Sequence, residues 1–86
     1  MLKLIYAPIF VRQFRKLPQA LQEETLEKIE LFKDTSNHQA LKVHKLHGKF
    51  SDSYSFSINY KYRVIFDYAT KTEVNILAIG DHDIYA

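Results

Sequence analysis

Apolar residues recur with a helical period in the first part of the chain. Phe10, Phe14 and Leu17 are spaced so that they line one side of a helix beginning near Pro8. After Pro18 a second stripe follows the same period, and its members are Leu21, Thr25, Ile29 and Phe32. We therefore predict a hairpin of two helices whose apolar side packs against a sheet.

From residue 54 onward the period changes from 3.6 to 2, which is typical of strands with one buried face. The apolar positions are Tyr54, Phe56 and Ile58, and the polar positions between them are Ser55, Ser57 and Asn59. Further strands are predicted over Arg63–Tyr68 and residues 73–79, and a short first strand over Lys3–Tyr6. The last three strands are separated by short turns, so we expect them to be antiparallel.

These elements predict an α+β fold in one domain spanning residues 1–86. The order is β-α-α-β-β-β: a short N-terminal strand, a two-helix hairpin, and a three-stranded antiparallel meander with the first strand at one edge. We expect the helices to pack on one sheet face, against Tyr62, Val64 and Phe66 as well. The opposite face is expected to carry Lys61, Arg63, Ile65 and Asp67. On the last strand, Leu77 and Ile79 are expected to face away from Val74, Ile76 and Ala78. The face away from the helices is then open, apolar at its centre and polar at its rim.

Composition narrows the class of protein. A chain of 86 residues with 47% hydrophobic and 26% charged residues supports one globular core. It contains no cysteine, which excludes disulfides and thiolate chemistry. No apolar run approaches the roughly 18 residues that a membrane span needs. We expect a cytoplasmic protein with no membrane partner.

Positive charge is concentrated in the middle of the chain. The net charge is only +2, but residues 42–63 hold five Lys and Arg against one Asp. This distribution indicates an anionic partner such as RNA, although a solvated lysine-rich loop would give the same pattern. The candidate RNA-binding residues are Lys42, Lys45, His47, Lys49, Asn59 and Lys61.

The same region contains the groups that metal-free RNA cleavage requires. Such cleavage needs a base for the 2′-hydroxyl, an acid for the leaving 5′-oxygen, and positive charge near the phosphate. Histidine serves as acid or base near neutral pH, and the fork of arginine matches two phosphate oxygens. The candidates for these roles are His44, His47 and His82, with Arg63 at the phosphate. Tyr85 is a candidate contact near the C-terminal end of the sequence.

Other interpretations of these residues stay open at this point. His44 and His47 are also explained as exposed loop residues, or, with His82 and an aspartate, as zinc ligands. Arg63 is also explained by a structural salt bridge to Asp67. Tyr60 is expected, with Tyr62 and Tyr68, to pack within or across strands.

Two stretches carry a family resemblance over essentially the whole chain. The sequence VHKLHGKFSDSYSFSINYKYRVIF, followed by ILAIGDHDIYA, resembles the RelE/ParE superfamily of type II toxin–antitoxin toxins. Within it, the chain is most similar to the RelE/YafQ-like mRNA interferases. The resemblance implies a RelE-like fold and a ribosome-dependent endoribonuclease that cuts mRNA, needs no cofactor, and is neutralised by a cognate antitoxin.

The resemblance also implies roles for individual positions. Arg63 matches the arginine that contacts the scissile phosphate, and His82 matches a general acid or transition-state contact. His44 matches a histidine ahead of the L-x-G motif, and Tyr85 lies near the position of a C-terminal aromatic residue. Departures are Ser57 and Lys61, where YafQ-like members have histidine and aspartate, and Tyr54 and Phe56, where RelE has lysines.

The sequence therefore predicts an mRNA interferase with His44, Arg63, His82 and Tyr85 as catalytic residues and no metal. The expected partners are an antitoxin, the ribosome and mRNA. Two alternatives remain: a ParE-like inhibitor of DNA gyrase, and a non-toxic relative that only binds an antitoxin.

Overall fold

Two α-helices, a short 3₁₀ helix (Thr35–Asn37) and five strands are present in the computed structural model, which describes residues 1–48 and 52–81. The α-helices are α1 (Pro8–Arg15) and α2 (Gln19–Phe32). The strands are β1 (Lys3–Tyr6), β2 (His44–Lys45), β3 (Tyr54–Ser57), β4 (Arg63–Tyr68) and β5 (Glu73–Gly80). No helix within the described residues is both long enough and apolar enough to cross a membrane.

The sheet has the order β1-β5-β4-β3-β2. β3, β4 and β5 form the predicted antiparallel meander, and β1 pairs in parallel with β5 at one edge. The predicted β-α-α-β-β-β layout is confirmed. β2 is an addition, since His44 and Lys45 pair with Ser55 and Tyr54 at the other edge. A two-residue strand is too short to show a period in the sequence, so only its pairing reveals it.

The helical hairpin is joined by side-chain hydrogen bonds at its corner. Pro8 lies in the first turn of α1, where its missing N–H has no partner to lose. At the other end of α1, the Gln22 side chain on α2 donates to the backbone carbonyls of Phe14 and Leu17, each at 3.1 Å. The Phe14 carbonyl also accepts from the backbone N–H of Leu17 at 3.1 Å. The corner between α1 and α2 is thereby closed.

Phe32 links α2 to the sheet. Its ring centroid lies 4.4 Å from that of Phe56 on β3 and 4.7 Å from that of Phe66 on β4. His38 stacks on the same ring at 4.6 Å, and its Nε2 lies 2.8 Å from the Phe32 carbonyl. His38 is thus a packing residue that closes the end of α2. The predicted stripe on α2 is confirmed, since Thr25, Ile29 and Phe32 are buried.

A β-bulge changes the faces on β5, and here one expectation is wrong. Phe66 pairs with Ile76, but Ile65 pairs with Ala78, so Leu77 is an extra residue on β5. Because side chains alternate with a period of two, one extra residue exchanges the faces beyond it. Ile79, which was expected to face away from the helices, is 3% exposed and belongs to the core.

We predict that Phe32→Ala lowers the free energy of unfolding by about 3–5 kcal/mol, because it removes a ring that contacts both β3 and β4. Urea denaturation followed by circular dichroism measures the loss. The control is Leu31→Ala on the neighbouring residue, which is 41% exposed. Similar losses in the two variants would contradict the central packing role of Phe32.

Candidate functional site

The strand register collects several candidate residues on the sheet face away from the helices, here called the second face. Residues paired across antiparallel strands share a face, as do residues two apart along a strand. His44 pairs with Ser55, and Ser57 pairs with Arg63. His44 and Arg63 therefore lie on the second face, and strand spacing and rise separate their Cα atoms by about 12 Å.

The centre of the second face is buried, which corrects the expectation of an open apolar centre. Ser55 is 0% exposed and Ile65 is 4% exposed. Leu46 lies on the same side by alternation from His44, and it is buried without belonging to the core cluster beneath the helices. Apolar side chains have thus been withdrawn from water here as well. The accessible part of the second face is its rim, where His44 is exposed and Arg63 is half-buried.

His44 is held by hydrogen bonds at both ring nitrogens. Its Nδ1 lies 2.8 Å from the backbone carbonyl of Lys42, and its Nε2 lies 3.4 Å from the Oγ of buried Ser55. A carbonyl only accepts hydrogen bonds, so Nδ1 carries a proton, and in the neutral ring Nε2 is the acceptor. The contact with Ser55 is long and therefore weak. His44 is arranged to accept a proton at Nε2.

Arg63 is anchored through one of its two terminal nitrogens. Nη1 donates to the backbone carbonyls of Asn59 at 2.6 Å and Tyr62 at 3.1 Å. A guanidinium has five N–H donors, so three further donors on Nη2 and Nε are not used by these contacts. Asp67 accepts from the Asn75 side chain at 2.9 Å, and within the described residues it forms no ion pair with Arg63. The alternative of an Arg63–Asp67 salt bridge is wrong.

Asn59 organises the turn between β3 and β4, which corrects its predicted place on a strand. β3 ends at Ser57. The Asn59 Oδ1 accepts from the backbone N–H of Lys61 at 2.9 Å and of Tyr62 at 2.8 Å. Its Nδ2 donates to Glu24 on α2 at 2.7 Å. The short polar side chain of Asn59 accepts hydrogen bonds from the backbone just after it, so the chain turns here and the strand does not continue. Its carbonyl then contacts Arg63.

Among the remaining basic candidates, the strand pairing assigns a side of the sheet to Lys45. Lys45 pairs with Tyr54, which packs against the core, so Lys45 lies on the side opposite His44. Lys42, His47 and Lys61 are exposed, and the Lys61 Nζ lies 5.7 Å from the Tyr62 ring centroid. Lys49, His82 and Tyr85 lie outside the described residues. Their predicted roles stay predictions.

Sequence reasoning missed two features of this site. The backbone of Lys42 supplies the partner of His44, and backbone conformation leaves no mark in a hydrophobic pattern. Tyr60 was expected to pack, but it is 90% exposed because it lies in the turn that Asn59 forms. The turn-forming Asn59 was the signal for that exposure. Among residues 1–48 and 52–81, no group of three or more His, Cys, Asp or Glu is placed to hold a metal ion.

Solved structures with the same architecture include chains of toxin–antitoxin complexes. A chain of the RelBE2 toxin–antitoxin complex from Mycobacterium tuberculosis superposes with a TM-score of 0.75 at 20% identity, covering 94% of this chain and 98% of that one. For the archaeal RelE–RelB complex from Pyrococcus horikoshii the TM-score is 0.71 at 21% identity, with 93% of each chain covered. The chain has the RelE-like fold.

This RelE-like fold is also shared with YafQ from Escherichia coli. The TM-score is 0.70 at 11% identity, covering 99% of this chain and 98% of YafQ. No protein-family model matches the sequence, and no curated protein does. The similarity therefore lies in the fold, and it confirms the architecture that the sequence resemblance implied.

We predict that Asn59→Ala opens the turn beneath Arg63. The amide protons of Lys61 and Tyr62 lose their shared acceptor, which costs about 1–3 kcal/mol of local stability. Their hydrogen exchange should accelerate by about 5- to 150-fold, as measured by NMR. The control is Tyr60→Ala, which removes an exposed side chain from the same turn. Unchanged exchange at both amides in Asn59→Ala would show that Asn59 does not hold the turn.

Proposed function

We propose that the protein is the toxin of a type II toxin–antitoxin system and acts as a metal-independent mRNA endoribonuclease on the ribosome. The observation that carries this proposal is the placement of His44 and Arg63 on one face of a RelE-like sheet. Histidine and arginine supply a proton acceptor and a phosphate ligand, the two groups that cleavage by a 2′-hydroxyl needs first.

Each residue has a defined task in this reaction. His44 accepts the proton of the 2′-hydroxyl at Nε2. In the structure this nitrogen faces the Oγ of Ser55 at 3.4 Å. The 2′-oxygen then bonds to phosphorus, and the bond to the 5′-oxygen breaks. The products are a 2′,3′-cyclic phosphate and a 5′-hydroxyl. The N–H donors of Arg63 that its contacts with the described residues do not use bind phosphate oxygens as charge develops.

The departing 5′-oxygen needs a proton, and we assign its delivery to His82. Tyr85 is assigned a contact with the RNA beside the scissile phosphate. Both assignments come from the sequence motif G-D-H-D-I-Y, which begins at Gly80, the last residue of β5. Gly80, the first residue of this motif, pairs with Arg63. Lys42, His47, Lys49 and Lys61 would position the RNA backbone through charge.

An antitoxin is proposed as the protein partner. The similar structures from M. tuberculosis and P. horikoshii are toxin–antitoxin complexes. Several apolar side chains of this chain remain exposed, and they provide surface that a partner would cover. They are Ile5, Tyr6, Ile9, Leu26 and Leu31.

A gyrase inhibitor with the same architecture would explain the fold equally well, because fold alone does not determine function. Such a binder needs neither an oriented imidazole nor an arginine on the same face. The arrangement of His44 and Arg63 therefore favours RNA cleavage.

We predict that His44→Ala and Arg63→Ala each reduce mRNA cleavage by about 10²–10⁴-fold, since each removes a group that acts on the reacting atoms. The measurement is cleavage of a defined mRNA in a purified translation system, mapped by primer extension. His82→Ala tests the proposed acid in the same assay.

The matched control is Lys45→Ala, which removes a basic residue of the same region from the other side of the sheet. It should cleave within about threefold of the unmodified protein, as expected for an exposed charge remote from the reaction. Full cleavage by both His44→Ala and Arg63→Ala would contradict the site. DNA damage without mRNA cleavage in cells that express the protein would support the gyrase alternative.

A further inference from the structure

Lys42 has an unusual backbone conformation. Its φ is +58°, and among the described residues it is the only one other than glycine with a positive φ. Side chains with a Cβ atom rarely adopt this left-handed region, because the Cβ approaches the backbone. Asparagine and glycine are the residues that usually occupy it. A lysine at such a position indicates that the surrounding structure imposes the conformation.

Backbone hydrogen bonds on both sides of Lys42 impose this conformation. Leu41 is buried, its N–H donates to the Asn37 carbonyl at 3.0 Å, and its carbonyl accepts from the Ser57 N–H at 2.8 Å. Val43 donates to the carbonyl of His38 at 3.0 Å. The chain therefore changes direction at Lys42, between the tight turns that precede it and β2, which begins at His44. A left-handed residue makes that change of direction, as it does at the ends of many helices.

The left-handed turn aims the Lys42 carbonyl at the imidazole of His44, two residues ahead. The distance from the Lys42 oxygen to Nδ1 is 2.8 Å, a good hydrogen bond. The partner of one ring nitrogen determines which nitrogen of a neutral histidine carries the proton. Here the proton is on Nδ1, so the lone pair of Nε2 is directed toward Ser55 and the second face.

We propose that Lys42 is a positioning residue whose backbone conformation holds His44 as the Nδ1–H tautomer and thereby creates the base at Nε2. This inference rests on the proposed ribonuclease function for its catalytic consequence, but the tautomer itself does not. The ammonium group of Lys42 has no part in it, since only the carbonyl contacts His44. Loss of charge and loss of conformation at residue 42 therefore have separable effects.

Two substitutions separate these effects. Lys42→Asn and Lys42→Val both remove the ammonium group. Asparagine tolerates the left-handed region, whereas a β-branched valine is strongly disfavoured there. We expect Lys42→Asn to keep the carbonyl aimed at His44 and Lys42→Val to withdraw it.

The first measurement is the tautomer of His44, read from the ¹⁵N shifts and two-bond couplings of its ring by NMR. It is made at about pH 8.5, where histidine rings are generally neutral. We expect Nδ1 protonation in the unmodified protein and in Lys42→Asn, and a shift of the proton toward Nε2 in Lys42→Val. A protonated Nε2 in the unmodified protein would overturn the proposal without any variant. An unchanged tautomer in a folded Lys42→Val would overturn it too.

The second measurement is mRNA cleavage by the same three proteins in the purified translation system. We expect Lys42→Val to be at least about tenfold slower than Lys42→Asn, as for a displaced general base. Both variants lack the ammonium group, so any loss of RNA positioning by its charge is common to the two. A changed tautomer with unchanged cleavage would overturn the positioning role. If no protein cleaves RNA but the tautomers respond as expected, the proposed function fails while the control of the tautomer by Lys42 stands.

Discussion

The positions of His44 and Arg63 depend on how β3 pairs with its two neighbours. β3 places Ser55 beside His44 on one side and Ser57 beside Arg63 on the other. The same pairing turns Phe56 toward Phe32, so the core and the site are set by one register. Because side chains alternate along a strand, a shift of this pairing by one residue would exchange the two sheet faces. His44 and Arg63 would then no longer lie together at the rim of the second face. The aromatic packing on α2 thus protects the arrangement of polar groups on the far side.

Hydrogen bonds to nearby backbone carbonyls then orient the side chains of His44 and Arg63. The Lys42 carbonyl orients the ring of His44, and the turn formed by Asn59 supplies two carbonyls that hold one nitrogen of Arg63. Both anchors come from backbone oxygens. The Nε2 of His44 has only a weak contact with Ser55, and these contacts do not use Nε and Nη2 of Arg63. Glu24 ties that turn to α2. The site is therefore supported by the same helix that closes the core, and stability and orientation are coupled.

Much of the fold could be predicted because it follows from long periodic segments. The apolar stripes that end at Phe32 and the alternation around Phe56 were sufficient to predict the two helices, the meander and the sheet face that forms the core. Local events within short segments were not predictable. The bulge at Leu77 placed the side chain of Ile79 on the face opposite to the one expected. The turn at Asn59 ended β3 although the alternation of apolar and polar residues continued. The tautomer of His44 depends on the φ angle of Lys42, two residues before it, and no pattern of residue types encodes such an angle.

The most direct test of a catalytic base on the second face uses a modified substrate. A messenger RNA carrying a single 2′-deoxynucleotide at the mapped cleavage position is placed on the ribosome with the protein. If His44 acts by removing the 2′-hydroxyl proton, this message stays intact at that position while the matching all-ribose message is cut to a 2′,3′-cyclic phosphate. Equal cleavage of the two messages would show that the 2′-hydroxyl is not the nucleophile, and it would contradict the proposed role of His44.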